Sequence, residues 1–169
     1  KDGNTAAVLI AEAAAYAKSR GTTLAGLLDE IFAEFGVYLE RGESLTMDGA
    51  EGAAQINKLV ASYASNPPKE MDGSPVDVIR NFATDTIHDI EGDLIPSEAM
   101  IMVSLADGRR VAIRPSGTEP KIKYYMFGVQ RPAHDTPSSP TEVAEAKSMV
   151  TASLESLWKW LGEDARARL

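Results

Sequence analysis

Cysteine is absent from this sequence and histidine occurs only twice. The first absence excludes disulfides and thiolate chemistry. His88 and His134 stand far apart in expected loops, and neither has a second His or Cys at metal-ligand spacing, so both are read as ordinary surface residues. Long apolar runs are also missing. The most apolar stretch, AAVLIAEAAAYA, is broken by Glu12 and has polar flanks, so no membrane span and no membrane partner are expected. There is no basic-then-apolar signal segment, which makes the cytoplasm the expected location. Basic residues are few: 17 Lys and Arg stand against 25 Asp and Glu, a formal net charge of -8. Nonspecific nucleic-acid binding needs a broad basic surface to displace phosphate counterions, so no nucleic-acid partner is expected. The acidic group Asp85, Asp89, Glu91 and Asp93 lacks the residue order and closing Glu of a calcium loop and is read as solvated charge. No metal ligand is expected in this chain.

What is present divides near Gly36–Val37. Thr5 to Lys18 is alanine-rich and apolar almost all round, the pattern of a helix buried on more than one side. Gly21 stops it, and Thr22 or Thr23 caps a second helix with Leu24, Leu27, Leu28, Ile31, Phe32 and Phe35 on one face. Val37 to Met47 reads as extended with a break at Gly42. Gly49 to Ser65 reads as a helix with Ala53, Ile56, Val60 and Tyr63 inward, ended by Pro67 and Pro68. MDGSP is a turn, Val76 to Phe82 a strand and 83–98 an irregular connection. Ala99 to Leu105, the turn Asp107-Gly108, and Arg109 to Ile113 form a hairpin, followed by a strand over Lys121 to Val129. SPTE, Ser139 to Glu142, has the form of a capping box and opens a helix with Val143, Ala146, Val150, Leu154, Leu157 and Leu161 on one face. Trp158 and Trp160, two apart on that helix, cannot share a face, so one is expected on the sheet and the other near the surface.

The fold class expected is therefore α+β: an antiparallel sheet of about four strands with helices on one face, over residues 37–169. Residues 1–36, two helices that cannot bury themselves alone, read as the end of an incomplete α/β domain. Their apolar faces also predict self-association through residues 1–36.

The loop between the last two strands, IRPSGTEPKIKYY, runs against the charge of the chain. Between Arg109 and Lys123 the chain holds Arg109, Arg110, Arg114, Lys121 and Lys123 against Glu119 alone. Arg114 is a planar cation able to grip a phosphate through two N–H bonds. Ser116 and Thr118 bring hydroxyl donors. Gly117 permits a positive φ that would turn neighbouring N–H groups toward one point, a small anion nest. Lys121 and Lys123 share a strand face. No nucleophile with an adjacent base is in sight, so no catalytic residue is assigned. The same residue types also make an ordinary turn, and composition leaves both readings open.

RPSGTEPKIKYY closely resembles the phosphate-binding loop of the α-D-phosphohexomutases, the phosphoglucomutase/phosphomannomutase superfamily. KDGNTAAVLIAEAAAYAKSRG resembles the segment after the sugar-recognition loop of that family's third domain. FGVYLERGESLTMDGAEGA and SNPPKEMDGSPV resemble the entrance to the fourth domain in the branch of bacterial phosphoglucomutases and phosphopentomutases. The resemblance implies that 1–36 are the C-terminal helices of the third domain and 37–169 the fourth. It implies that Arg114, Ser116, Gly117 and Thr118 hold the phosphate that is not transferred, with Lys123 where many members carry arginine. The family's phosphoserine, its Mg²⁺ on an aspartate loop and its sugar-reading loop have no counterpart in this sequence. The chain is thus expected to be a C-terminal fragment, inactive alone, whose partners are the rest of the mutase chain and a hexose or pentose phosphate. Mg²⁺ belongs to the parent and no cofactor to the fragment. Glucose, mannose and pentose phosphates fit the loop equally. A stand-alone, non-catalytic sugar-phosphate-binding module is the alternative.

Overall fold

Three of the four helices begin where a side chain caps them. The computed structural model describes all residues except Lys1, Asp48, Thr118, His134 and Asp135, and all side chains of the remainder except that of Ala50. Asp2 accepts the N–H of Thr5 at 3.0 Å ahead of α1 (Gly3–Ser19). Thr23 accepts that of Gly26 at 3.0 Å ahead of α2 (Leu24–Phe35). Before α4 (Pro140–Arg168) the capping box closes both ways: Ser139 N–H donates to Glu142 Oε2 at 2.7 Å, and Glu142 N–H donates to Ser139 Oγ at 3.3 Å. The remaining elements are β1 (Val37–Thr46), α3 (Ala50–Ser65), β2 (Glu70–Met71), β3 (Ser74–Asn81), β4 (Ile101–Leu105), β5 (Arg110–Pro115) and β6 (Lys121–Gln130).

The sheet has six strands in the order β1-β6-β5-β4-β3-β2, where about four were expected. Two features account for the difference. MDGSP is a tight hairpin: Asp72 and Gly73 take φ of 48° and 76°, the two positive angles of a twist-matched two-residue turn, and Met71 pairs with Ser74. Gly42 does not break β1. A side chain placed there would rest on the ring of Tyr125, at 3.7–3.8 Å, so glycine leaves room for that ring. The Met47 N–H donates to Pro120 C=O at 2.9 Å beyond the ends of the two strands. These two contacts fix β1 as antiparallel to β6, and every other pairing is antiparallel too.

The chain forms two compact units. One comprises Lys1–Tyr38 with Gln130–Met149, the other Leu39–Val129 with Val150–Leu169. In the first, Ser138 N–H donates to Ala33 C=O at 2.8 Å and Lys147 pairs with Asp29 at 2.7 Å. As expected of two helices that cannot bury themselves alone, Ala17 is the one fully buried side chain of α1 among the described residues, and α2 is its main packing partner in this unit. Val8, Leu9, Ile10 and Tyr16 of α1, and Leu24, Leu28, Ile31 and Phe35 of α2, are exposed.

In the second unit, Ile122, Tyr124 and Met126 of β6 are fully buried, alternating with half-buried neighbours. Tyr124 meets Tyr63 of α3 edge to face at 6.4 Å and Trp158 of α4 at 5.7 Å. A side chain at Gly128 would lie 2.8 Å from Val150 and 3.2 Å from Leu154, so glycine lets α4 settle on β6. Both helices therefore cover one face of the sheet, and Trp158 is the tryptophan packed there. The apolar stripe read for α4 is buried as expected. The inward stripe of α3 is Ile56, Leu59 and Tyr63; Ala53 is exposed and Val60 half-buried, one position off the expected face. Burial pushes the Tyr124 phenol up to about 12.

Arg109 ties the turns of this unit to α4. Its side chain, only 10% exposed, donates from Nε to Asp107 at 2.8 Å and from Nη1 to Asp72 at 2.5 Å and to the Ser153 carbonyl at 3.2 Å. Asp72 also accepts from Ser156 Oγ at 2.8 Å. Burial alone would raise the Asp107 carboxyl; the hydrogen bonds from the Arg109 side chain and backbone outweigh it and hold the group below its ordinary value. A carboxyl with a depressed folded pKa stabilises the fold above its unfolded value, about 3.9, and that contribution is lost as pH falls through the folded value. Arg109→Ala leaves two acids without their cation and is expected to cost about 3 kcal/mol, a fall in Tm of roughly 6–12 °C at neutral pH. The deficit should shrink as pH falls below the unfolded value, about 3.9, and through the depressed Asp107 value. Thermal melts across pH check this, and a neutral-pH loss below about 1 kcal/mol would contradict the staple.

Candidate functional site

The site is built by the register of two strands. Arg114 of β5 stands opposite Lys123 of β6, and Pro115 opposite Ile122. Because Ile122 and Tyr124 point under the helices, Lys121, Lys123, Tyr125 and Phe127 point to the other face, as do their partners Arg110, Ala112 and Arg114. The Ser116 N–H closes the loop onto the Lys121 carbonyl at 2.8 Å, and the Lys121 N–H donates to Glu119 C=O at 2.7 Å. Arg114, Ser116, Gly117 and Lys123 thus come together at one end of the hairpin, on the face away from α3 and α4. Thr118 lies outside the described residues, as does His134.

Two sequence expectations change here. Gly117 does not adopt a positive φ, and nothing beyond its chain neighbours lies within 4 Å of where its side chain would begin. Its value to the loop is open space rather than left-handed backbone. Three of the five cations are also paired with carboxylates. Arg109 turns inward to two aspartates. Lys121 is paired with Glu119, whose carboxyl is held below its ordinary value by that hydrogen bond. Arg110 sits over the Phe127 ring at 5.9 Å. Arg114 Nη1 lies 2.7 Å from Glu98 Oε1, both side chains about two-fifths exposed. Lys123 has no ion-pair partner among the described residues.

Glu98 is the participant that reading the loop alone misses. It lies three residues ahead of β4, outside the strand pairing, and its 2.7 Å contact with Arg114 is what brings it to the site. Among the described residues no group of three or more His, Cys, Asp or Glu side chains is placed to hold a metal ion.

Residues 75–133, the interval holding this hairpin and loop, match the family model for the phosphoglucomutase/phosphomannomutase C-terminal domain. Phosphoglucomutases of Staphylococcus aureus strains bovine RF122 / ET3-1 and USA300 are each 34% identical over 131 residues, 75% of this chain and 24% of theirs. That of strain N315 is 33% identical over 130 residues, with the same coverage. The chain spans about a quarter of the length of these relatives. A solved structure of pp63/parafusin, a phosphoglucomutase from Paramecium in its open form, aligns over 79% of this chain and 22% of its own at 13% identity. The TM-score of that alignment is 0.38. By its sequence matches the chain belongs to the phosphoglucomutase/phosphomannomutase superfamily, in its C-terminal part.

The open surroundings of Gly117 set one expectation. Gly117→Ala meets no atom beyond its chain neighbours and no forbidden φ, so its stability should equal or slightly exceed that of the unsubstituted chain, by about 0.4–1 kcal/mol at most, as read by thermal melts. A clear loss of stability would show that the loop backbone is not as described.

Proposed function

We propose that the loop from Arg114 to Lys123 holds the non-reacting phosphate of a sugar phosphate, in a parent mutase that interconverts hexose 1-phosphate and 6-phosphate by intramolecular phosphoryl transfer. The observation that carries this reading is the Arg114–Lys123 pairing. A cross-strand pair has Cβ atoms about 5 Å apart, so a guanidinium fork and an ammonium converge on one group the size of a phosphate. Ser116 adds a hydroxyl, Gly117 an approach without a side chain, and Thr118 a second hydroxyl by the family resemblance.

In this reading the chain positions and does not react. Phosphoryl transfer needs a donor in line with the acceptor and neutralisation of charge at the moving group, besides positioning of the rest of the substrate. The donor phosphoserine and the Mg²⁺ belong to the remainder of the parent. Residues 1–36 are then the closing helices of the third domain and 37–169 the fourth domain. The exposed apolar side chains of α1 and α2 are what the preceding part of the parent covers. Relatives that act on glucose phosphates make a hexose phosphate the first ligand to try, with pentose phosphates second. The cytoplasm is the compartment that fits such a substrate.

Calorimetric titration of the 169-residue chain with glucose 6-phosphate tests the reading. Weak binding is expected, reduced about tenfold or more by Arg114→Ala, since a charge-assisted contact contributes roughly 1.5–3 kcal/mol. Arg114→Lys should recover only part, because a point charge lacks the fork. Equal affinity in all three proteins would remove Arg114 from the site.

A further inference from the structure

Arg114 already has a partner, and that partner is of the same charge sign as the ligand proposed for it. We infer that Glu98 is a built-in competitor at the phosphate loop: its carboxylate and the incoming phosphate contend for one guanidinium. The inference rests on the reading of the loop as a phosphate site.

The geometry supports competition rather than assistance. Glu98 Oε1 is 2.7 Å from Arg114 Nη1, within reach of whatever else that nitrogen donates to. The carboxylate belongs to a segment other than the loop, held by one bond to the residue after β3 and one within its own turn. The Glu98 N–H donates to Phe82 C=O at 3.1 Å, and the Glu98 carbonyl accepts from Met100 N–H at 2.7 Å. Only the side chain is free to swing, and at 42% exposure it has water to swing into. An exposed ion pair of this kind is weak enough to be broken by a better anion. A phosphate dianion brings more charge and more acceptor atoms to the same fork. If Glu98 stays, it sits beside the bound phosphate as a like charge. If it leaves, the ion pair is lost. Either way the carboxylate lowers affinity. Lys123, without an ion-pair partner among the described residues, is the cation left to draw the ligand in.

Such a device suits a holder that must also let go. Uniformly tight binding lowers KM without raising kcat, so a grip moderated by a resident carboxylate favours release over retention.

Glu98→Gln keeps the shape and removes the charge. Inorganic phosphate is titrated into the 169-residue chain while the backbone amides of Ser116 and Gly117 are followed. The expected result is a dissociation constant about two- to fivefold lower in Glu98→Gln, with an unchanged melting temperature. The gain should fade as salt rises and vanish in an Arg114→Ala background. Glu98→Ala should show the same gain, which guards against a defect peculiar to the glutamine. If the parent sequence binds phosphate at these amides and both variants bind equally or more weakly, Glu98 is not a competitor and the loop reading stands. If phosphate moves these amides in none of the proteins, the loop reading fails and takes the inference with it.

Discussion

Along β6 every second side chain is buried beneath α3 and α4, and that two-residue period decides where the cations of the loop must go. Ile122, Tyr124 and Met126 fill the space under the helices, and Gly128 admits Val150 and Leu154. Lys121 and Lys123 are therefore held on the opposite face. A slip of one residue would bury two ammonium groups and expose three large apolar side chains, so the register is under strong constraint. The pairing with β5 carries the constraint across: Arg114 follows Lys123 to the same face because partners in an antiparallel pair share a side. The site is in this sense a by-product of core packing.

Arginines five residues apart take opposite roles because their surroundings differ. Arg109 is enclosed and multiply hydrogen-bonded, and its charge is consumed in tying the β4–β5 turn, the β2–β3 turn and α4 together. Arg114 is half in solvent with a single carboxylate beside it. A cation of the first kind cannot be lent to a ligand without unpicking the fold, whereas one of the second kind can. Sequence proximity counts both toward the same basic cluster, and three-dimensional pairing separates them. The loop is accordingly less positive than its composition, and the anion binding proposed for it rests on the fork of Arg114 and on Lys123 rather than on a broad field.

The parts of the fold legible in the sequence are those set by local chemistry. The SPTE box, the Thr23 cap, the two Asp-Gly turns and the stripe from Val143 to Leu161 all depend on neighbours a few residues away. What is less legible depends on partners distant in sequence. Gly42 reads as a break because a strand glycine often is one, and only the Tyr125 ring across the sheet explains it. The apolar girth of α1 promises burial that its own unit does not supply. The site is readable as far as Arg114, Ser116, Gly117 and Lys123, since a family motif and strand alternation both point there. Glu98 is not, because it comes from the connection ahead of β4, distant in sequence from the loop.

The central claim is that one hairpin end of this chain recognises phosphate. Mapping the backbone amide shifts of the 169-residue chain on adding glucose 6-phosphate tests it most directly. The perturbed amides are expected to cluster within residues 114–123, with little change along α1, α2 or the acidic connection 85–93. Shifts concentrated in those other segments, with the hairpin end silent, would contradict it.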